Sequence, residues 1–190
     1  MTVASQNELI RTAKALQPGM QGDASEQSRY LTFLANDTLY GVDLDHVKEI
    51  IEYGALTQVP LAPAFVRGVF NLRGSVLPVI DLAVRLGKTP QPPSKRSCFI
   101  LVELEDEGET LECGIYVDAV DEVAQIPASV IEPPPSFGVD IRSDFIAGMG
   151  KRNDQFVILL DVDRIGNVEE LANSMKLGDG NDLAEERGNV

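Results

Sequence analysis

The 190-residue sequence is poor in the residues that catalysis most often uses. It has no tryptophan, two cysteines (Cys98 and Cys113) and a single histidine, His46. One imidazole gives little basis for a Ser/His/Asp or Cys/His nucleophile, or for a histidine-based metal site. Neither the P-loop pattern nor the Gly-rich dinucleotide pattern occurs, so no phosphate-cradling loop is predicted. We therefore expect no enzymatic activity, no catalytic residues, no cofactor and no bound metal.

Long apolar runs are also missing. No stretch approaches the roughly 18–20 apolar residues of a membrane-spanning helix. The N-terminus has no basic segment followed by an apolar one, so no secretory signal is predicted. The two cysteines lie in apolar, strand-like runs, which suits buried and reduced thiols. These absences predict a cytoplasmic protein that does not insert into a membrane.

Negative charge, by contrast, is abundant and unevenly distributed. The formal net charge is −14, with fifteen acidic and four basic residues over 97–166. Only the segment 88–96 is basic, with three bases and no acid. The electrostatic field of so many negative charges repels the phosphate backbone of nucleic acids, so we expect no nucleic-acid partner. A small barrel that binds nucleic acid remains the alternative class, but the sequence lacks a basic, aromatic-lined face.

Short β-strand patterns dominate the chain from residue 30 onwards. Apolar, β-branched-rich runs alternate with turn residues, which predicts a mainly β fold with short helices. Residues 1–28 are predicted to form a flexible arm, and a short docking helix at the weak amphipathic segment 6–16 is the less favoured alternative. Residues 88–96 read as a Pro-rich connector. Residues 169–190 are predicted to hold a C-terminal helix and a disordered acidic tail.

Several aspartates follow apolar strand patterns. As paired acids they would suggest general acid–base chemistry, but a position just before a helical turn is typical of a helix N-cap or a turn residue. We interpret Asp81, Asp118 and Asp161 in this second way. Asp43 is predicted to cap a further helical turn, and another turn of helix is predicted at Ala64–Arg67.

An internal repeat gives the clearest indication of architecture. Gly41–Ile50 aligns without gaps on Gly114–Val123, and Phe65–Leu82 aligns on Phe145–Val162. Identical pairs include Gly41/Gly114, Val47/Val120, Glu49/Glu122, Phe65/Phe145, Gly68/Gly148 and Asp81/Asp161. Two units, at approximately 29–87 and 97–166, are therefore predicted. Together they imply two small barrels, which would remove most exposed strand edges, and the sequence leaves open how strands are shared between the barrels.

A hairpin in the first unit carries an isolated cation. Two apolar runs within Gly68–Leu82 flank a polar break at 73–75, and Gly74 can adopt the positive φ that such a turn requires. Arg73 at the tip could form a bidentate pair with a carboxylate on a partner. Alternatively, it is only a solvated turn residue. The second unit has Lys-Arg-Asn-Asp at the equivalent turn, which weakly favours a separate role for Arg73.

Five segments of the chain resemble the CheW family of chemotaxis coupling proteins. They lie at 41–50, 63–82 (including Asn-Leu-Arg-Gly), 114–123, 145–150 and 159–162, and the likeness covers about 29–168. The resemblance implies two SH3-like five-stranded β-barrel subdomains. It also implies a non-enzymatic adaptor that links the cytoplasmic tip of methyl-accepting chemoreceptors to the regulatory domain of the histidine kinase CheA. The protein would then be recruited to membrane-associated receptor arrays.

The same resemblance carries site residues over by motif position. It places a receptor-coupling region at Arg73, Gly68, Asn71, Leu72, Val47 and Glu49. It assigns no kinase-binding residue. Kinase contacts are expected mainly on the barrel surfaces, without a more precise position. An alternative within the family is an adaptor of a non-flagellar chemosensory pathway that serves pili or another output.

Overall fold

The computed structural model describes residues 2–15, 27–106, 108–135, 143–167 and 169. Within them the chain forms ten strands and three helices. The helices are α1 (Val3–Ala15), α2 (Leu82–Arg85) and α3 (Val162–Ile165). The strands are β1 (Gln27–Ala35), β2 (Thr38–Asp43), β3 (Val47–Glu52), β4 (Val66–Leu72), β5 (Ser75–Asp81), β6 (Cys98–Asp106), β7 (Glu109–Val117), β8 (Ala119–Pro127), β9 (Ile146–Arg152) and β10 (Gln155–Leu160).

The strands form two five-stranded sheets. Sheet A has the order β8-β1-β2-β10-β9, and sheet B has the order β3-β6-β7-β5-β4. Each sheet contains one parallel pair, β2–β10 or β5–β7, among antiparallel neighbours. The predicted mainly β fold with two SH3-like five-stranded subdomains is confirmed. Strand pairing closes neither sheet into a complete barrel within the described residues.

The two sheets exchange strands between the repeat units. The first unit supplies β1–β5 and the second supplies β6–β10, and replacing each strand by its repeat equivalent converts the order of sheet A into that of sheet B. Each sheet therefore contains strands from both units, an arrangement that the sequence left open. A 3₁₀ turn at Leu44–His46 carries the chain from β2 in sheet A to β3 in sheet B.

The main hydrophobic core spans both sheets. It includes Phe33 and Tyr40 from sheet A together with Ile100 and Ile115 from sheet B. Full burial of such side chains contributes about 1.5–3 kcal/mol each. The strand exchange thus places the apolar residues of both units in one shared core, so neither unit has a complete core of its own.

Both cysteines are free and buried, as expected from their apolar sequence context. They lie on neighbouring strands of sheet B, Cys98 on β6 and Cys113 on β7. Burial raises the pKa of the Cys98 thiol to about 11 and that of Cys113 to about 12. Both side chains are therefore protonated at neutral pH and pack as small apolar groups.

The N-terminal segment differs from its prediction. Residues 3–15 form helix α1, which packs against β3 and β8, so the predicted flexible arm is wrong for this segment. Val3, Ile10 and Ala13 recur at helical spacing and face the core, and Ile10 is only 2% exposed. Residues 16–26, and all of the predicted C-terminal helix and acidic tail except residue 169, lie outside the described residues. None of the described helices is both long and apolar enough to span a membrane.

The predicted caps are present, whereas one predicted helical turn is not. The side chains of Asp43, Asp81 and Asp161 each accept a hydrogen bond from a backbone N–H two or three residues later. Ala64–Arg67, predicted as a turn of helix, instead enters strand β4 at Val66. Pairing with β5 fixes the extended conformation there, because Val66 lies opposite Ile80 in the β4–β5 ladder.

Candidate functional site

The β4–β5 hairpin closes through a two-residue turn at Arg73 and Gly74. Their φ angles are +51° and +92°. Positive φ at both central residues matches a type I′ turn, whose twist suits a hairpin. The Oδ1 atom of Asn71 accepts a hydrogen bond from the Gly74 N–H at 2.9 Å. The predicted turn is therefore confirmed, and its backbone is held in place.

Arg73 reaches across to the opposite edge of sheet B. Its Nη1 and Nη2 atoms lie 2.8 and 3.2 Å from the Oε1 and Oε2 atoms of Glu49 on β3. This bidentate hydrogen bond, together with the negative charge of Glu49, raises the pKa of the Arg73 guanidinium. The Arg73 side chain is nevertheless 74% exposed, against 25% for Glu49. One carboxylate partner of Arg73 is thus supplied within this chain, and a pair with a carboxylate on another protein stays a prediction.

The remaining predicted residues divide into exposed and buried groups. Asn71 is exposed and Leu72 is half-buried, beside the turn. Val47 is fully buried. Gly68 is buried as well, has φ of +152°, and a Cβ atom there would lie 2.7 Å from the backbone oxygen of Thr57. Val47 and Gly68 therefore support this surface from beneath rather than contact a partner directly.

The sequence did not single out one exposed apolar residue at this hairpin, Val76. Val76 on β5 is 52% exposed and lies opposite Asn71 in the hairpin ladder. Neighbouring side chains of a strand point to opposite faces, so a core position for Leu77 would have predicted an exposed position for Val76. We call the group of exposed and half-buried residues beside the turn the hairpin surface. It consists of Asn71, Leu72, Arg73, Val76 and Glu49.

Sheet A contains an equivalent ion pair that the sequence comparison missed. Arg152 Nη1 lies 2.5 Å from Glu122 Oε1 and 2.9 Å from Asp121 Oδ2. Glu122 is the repeat equivalent of Glu49. The repeat equivalent of Arg73 is Asn153, and Arg152 lies one residue before it. The Arg152 side chain is only 20% exposed. The glutamate that is identical in the two units, Glu49 or Glu122, was the sequence signal for an ion pair with an arginine of the hairpin in each sheet.

The chemistry available at the hairpin surface is that of recognition. A guanidinium has five N–H donors, and Glu49 occupies two donor atoms of Arg73, so further donor capacity faces solvent. Val76 adds an apolar contact next to it. Within the ranges that the structure describes, no group of three or more His, Cys, Asp or Glu side chains is arranged to hold a metal ion.

Comparison with known proteins identifies the family. A family profile described as "CheW-like domain" matches residues 29–170. The chain belongs to this family. The chemotaxis protein CheW of Klebsiella aerogenes is 32% identical over 143 residues, which cover 75% of this chain and 84% of the relative. The CheW of Helicobacter pylori is 30% identical over 155 residues, covering 82% and 91%.

A solved structure agrees with the architecture. The crystal structure of the scaffolding protein TtCheW from Thermoanaerobacter tengcongensis matches with a TM-score of 0.70 and 32% sequence identity. The match covers 81% of this chain and 96% of TtCheW. Sequence and fold together make this CheW family member a chemotaxis adaptor. The segment matched by the family profile begins at residue 29, so it starts after helix α1.

Proposed function

We propose that this protein is a non-enzymatic adaptor that couples methyl-accepting chemoreceptors to the histidine kinase CheA. It would do so in the cytoplasm, at membrane-associated receptor arrays. The single observation that carries the proposal is an exposed but pre-oriented Arg73 on the family's Asn-Leu-Arg-Gly hairpin. Membership of the CheW-like domain family supports the same role.

The hairpin surface is the proposed contact with the receptor tip. Glu49 holds the Arg73 guanidinium in one orientation, which lowers the entropy lost when a partner binds. The exposed donors of Arg73 can then pair with a carboxylate or carbonyl of the receptor, while Val76 covers apolar area. Gly68 and Val47 contribute indirectly, because they fix the backbone of β4 and β3.

Affinity capture of the full-length protein from a lysate of its own cells tests the proposed partnership. We expect a CheA-type kinase and methyl-accepting receptors to be retained together. The identity of the retained kinase also states which chemosensory output the adaptor serves. Retention of neither partner, under conditions in which the protein is folded, would contradict the proposal.

A further inference from the structure

The connector between the two repeat units carries the basic stretch of this acidic chain. Lys88, Lys95 and Arg96 give residues 88–96 three positive charges and no negative one. Lys88 is half-buried and the other two are exposed, and the connector forms no helix or strand. It therefore displays positive charge on a protein whose formal net charge is −14.

These three cations differ from most others in the protein. Among the described residues, carboxylates pair with Lys48, Arg67, Arg73, Lys151, Arg152 and Arg164, and backbone carbonyl oxygens accept hydrogen bonds from Lys14, Arg29 and Arg85. Within the same part of the chain, the side chains of Lys88, Lys95 and Arg96 have neither kind of partner. Their N–H donors are therefore available for another acidic group.

Lys95 and Arg96 line an open groove of about 750 Å³. The N-terminal end of helix α1 and the C-terminal end of β3 line it as well. Two carboxylates, those of Glu52 and Asp121, also border the groove, but Asp121 is already paired with Arg152 at 2.9 Å. Within the described residues, the groove thus offers two unpaired cations and one unpaired carboxylate.

The chain beyond residue 169 starts close to the beginning of the connector. Arg85, the last residue of α2, donates from Nε to the Ile165 carbonyl oxygen at 3.0 Å. The connector starts three residues after Arg85, and residue 169 lies four residues after Ile165. Residues 170–190 add 21 residues, which span up to about 70 Å when extended, against about 30 Å for the nine residues of the connector. They are long enough to reach the whole connector and the groove.

The last residues of the sequence complement the groove in charge. Residues 178–190 hold four acids and one base, giving −3. Glu185 and Glu186 precede Arg187, so two negative charges and one positive charge match the two cations and one carboxylate of the groove. Residues 97–166, with fifteen acids against four bases, repel such a segment. The connector is therefore the part of the surface that attracts it.

We propose that this acidic segment of the same chain docks on the connector and covers the groove beside α1, with Glu185 and Glu186 pairing with Lys95 and Arg96. Each exposed ion pair is weak, but tethering both groups on one chain gives an effective concentration of about the millimolar range. Because charge holds this cover, high salt or a competing anionic segment releases it. The contact is independent of the receptor and the kinase proposed above.

A spin label on the acidic segment tests the contact in the full-length protein. Ala184→Cys supplies the attachment site, because Cys98 and Cys113 are buried and do not compete for the label. Paramagnetic broadening of the Lys95 and Arg96 amide signals is measured by NMR. At about 0.1 M salt these signals should lose most of their intensity, and at about 1 M salt, where the Debye length falls to about 3 Å, they should recover.

Two variants of equal net charge separate a specific contact from general charge effects. Glu185→Gln with Glu186→Gln removes the proposed ion pairs and should restore the amide signals. The control, Glu105→Gln with Glu109→Gln, removes two exposed charges beside the β6–β7 turn and should leave the broadening unchanged. Equal broadening in these two variants would overturn the proposal, and so would its absence from the labelled wild-type background at low salt.

Charge reversal and chain mixing complete the test. Lys95→Glu with Arg96→Glu should abolish the broadening of the connector amides, and adding Glu185→Lys with Glu186→Lys should restore it. Failure of this restoration would contradict pairing between these residues. In a mixture, a spin-labelled chain without isotopes should not broaden the signals of an isotope-labelled chain without the spin label. Broadening in that mixture would overturn the intramolecular contact, because a second copy would then supply the segment.

Discussion

The two sheets share one framework but use their charged residues differently. In sheet B the Asp81 N–H donates to the Phe65 oxygen at 2.8 Å, and in sheet A the Asp161 N–H donates to the Phe145 oxygen at 2.9 Å. Strand order is also equivalent throughout. The backbone therefore preserves the repeat, and differences between the halves reside in side chains.

The two sheets differ in how exposed their charged side chains are, and the more exposed sheet is not the same one at the two places compared below. Near α2, Asp81 is buried and pairs with Arg67 at 2.5 Å, whereas Asp161 near α3 is one-third exposed and lies 3.3 Å from Arg164. At the hairpins, by contrast, the sheet B cation Arg73 is exposed and the sheet A cation Arg152 is mostly buried. Sheet B thus keeps its structural charge pair inside and presents its hairpin cation to solvent, which is the arrangement expected if this half contacts the receptor, as we propose.

The largest effect should come from the two capping aspartates. Asp81→Ala removes an N-cap and leaves the mostly buried Arg67 without its carboxylate, so we expect a loss of about 3–4 kcal/mol in unfolding free energy. Asp161→Ala removes a cap beside an exposed arginine and should cost about 1 kcal/mol. Urea unfolding of both variants measures the difference. Equal losses would show that burial does not distinguish the two pairs.

The equivalent glycines give the next comparison. A Cβ at Gly68 would lie 2.7 Å from a backbone oxygen at a positive φ, so Gly68→Ala should cost about 2–3 kcal/mol. At Gly148 the nearest atoms are the Cγ2 of Ile131 at 2.6 Å and the backbone oxygen of Glu132 at 3.2 Å, but φ is not positive there, so an added side chain meets no backbone strain. Gly148→Ala should therefore cost about 1 kcal/mol. The same urea titration ranks the two variants. A larger loss for Gly148→Ala than for Gly68→Ala would contradict the tighter backbone constraint at Gly68.

The hairpin arginines should differ in stability by a smaller amount. Arg152→Ala leaves Asp121 and Glu122 without their shared cation, and we expect a loss of about 1 kcal/mol. Arg73→Ala removes an exposed side chain, so its thermal midpoint should stay at the wild-type value. Differential scanning calorimetry compares the two variants. A clear loss of stability on Arg73→Ala would assign that residue a structural role.

The smallest effect is expected from the two thiols of sheet B. Their raised pKa values mean that the folded state holds these protons more tightly than the unfolded chain does. Their contribution to stability is therefore complete below about pH 8.5 and declines as pH rises towards 11–12. At pH 8 a thiol reagent should modify neither cysteine before unfolding. If the cysteines are labelled faster in Asp81→Ala than in Asp161→Ala, the loss of stability lies in sheet B. Equal labelling rates in the two variants would contradict that location.

Sequence reasoning succeeded where structure depends on neighbouring residues. The turn at Arg73–Gly74 and the caps at Asp43, Asp81 and Asp161 follow from local backbone preferences and short hydrogen bonds. The internal repeat also predicted two equivalent units of four or five strands, and the family resemblance implied five strands in each subdomain. The family resemblance, and not spacing, is the source of the prediction that the Arg73 turn faces a partner.

The missed features depend on contacts between distant residues. Exchange of strands between sheets is decided by the shared core, which no alignment of one unit on the other reveals. The Arg73–Glu49 pair requires sheet B to curl until the β4–β5 turn comes within side-chain reach of β3. Helix α1 offered a weak signal, because one buried residue, Ile10, anchors a mostly polar helix.

The central claim is that exposed Arg73, and not its buried counterpart Arg152, couples the receptor to the kinase. Kinase activity in reconstituted receptor–CheA arrays tests it with Arg73→Glu, Arg152→Ala and the charge swap Arg73→Glu with Glu49→Arg. We predict that Arg73→Glu abolishes receptor control while keeping the wild-type thermal midpoint, that Arg152→Ala retains control, and that the swap fails to restore it. Normal receptor control by Arg73→Glu, or full rescue by the swap, would contradict a direct contact between Arg73 and the partner.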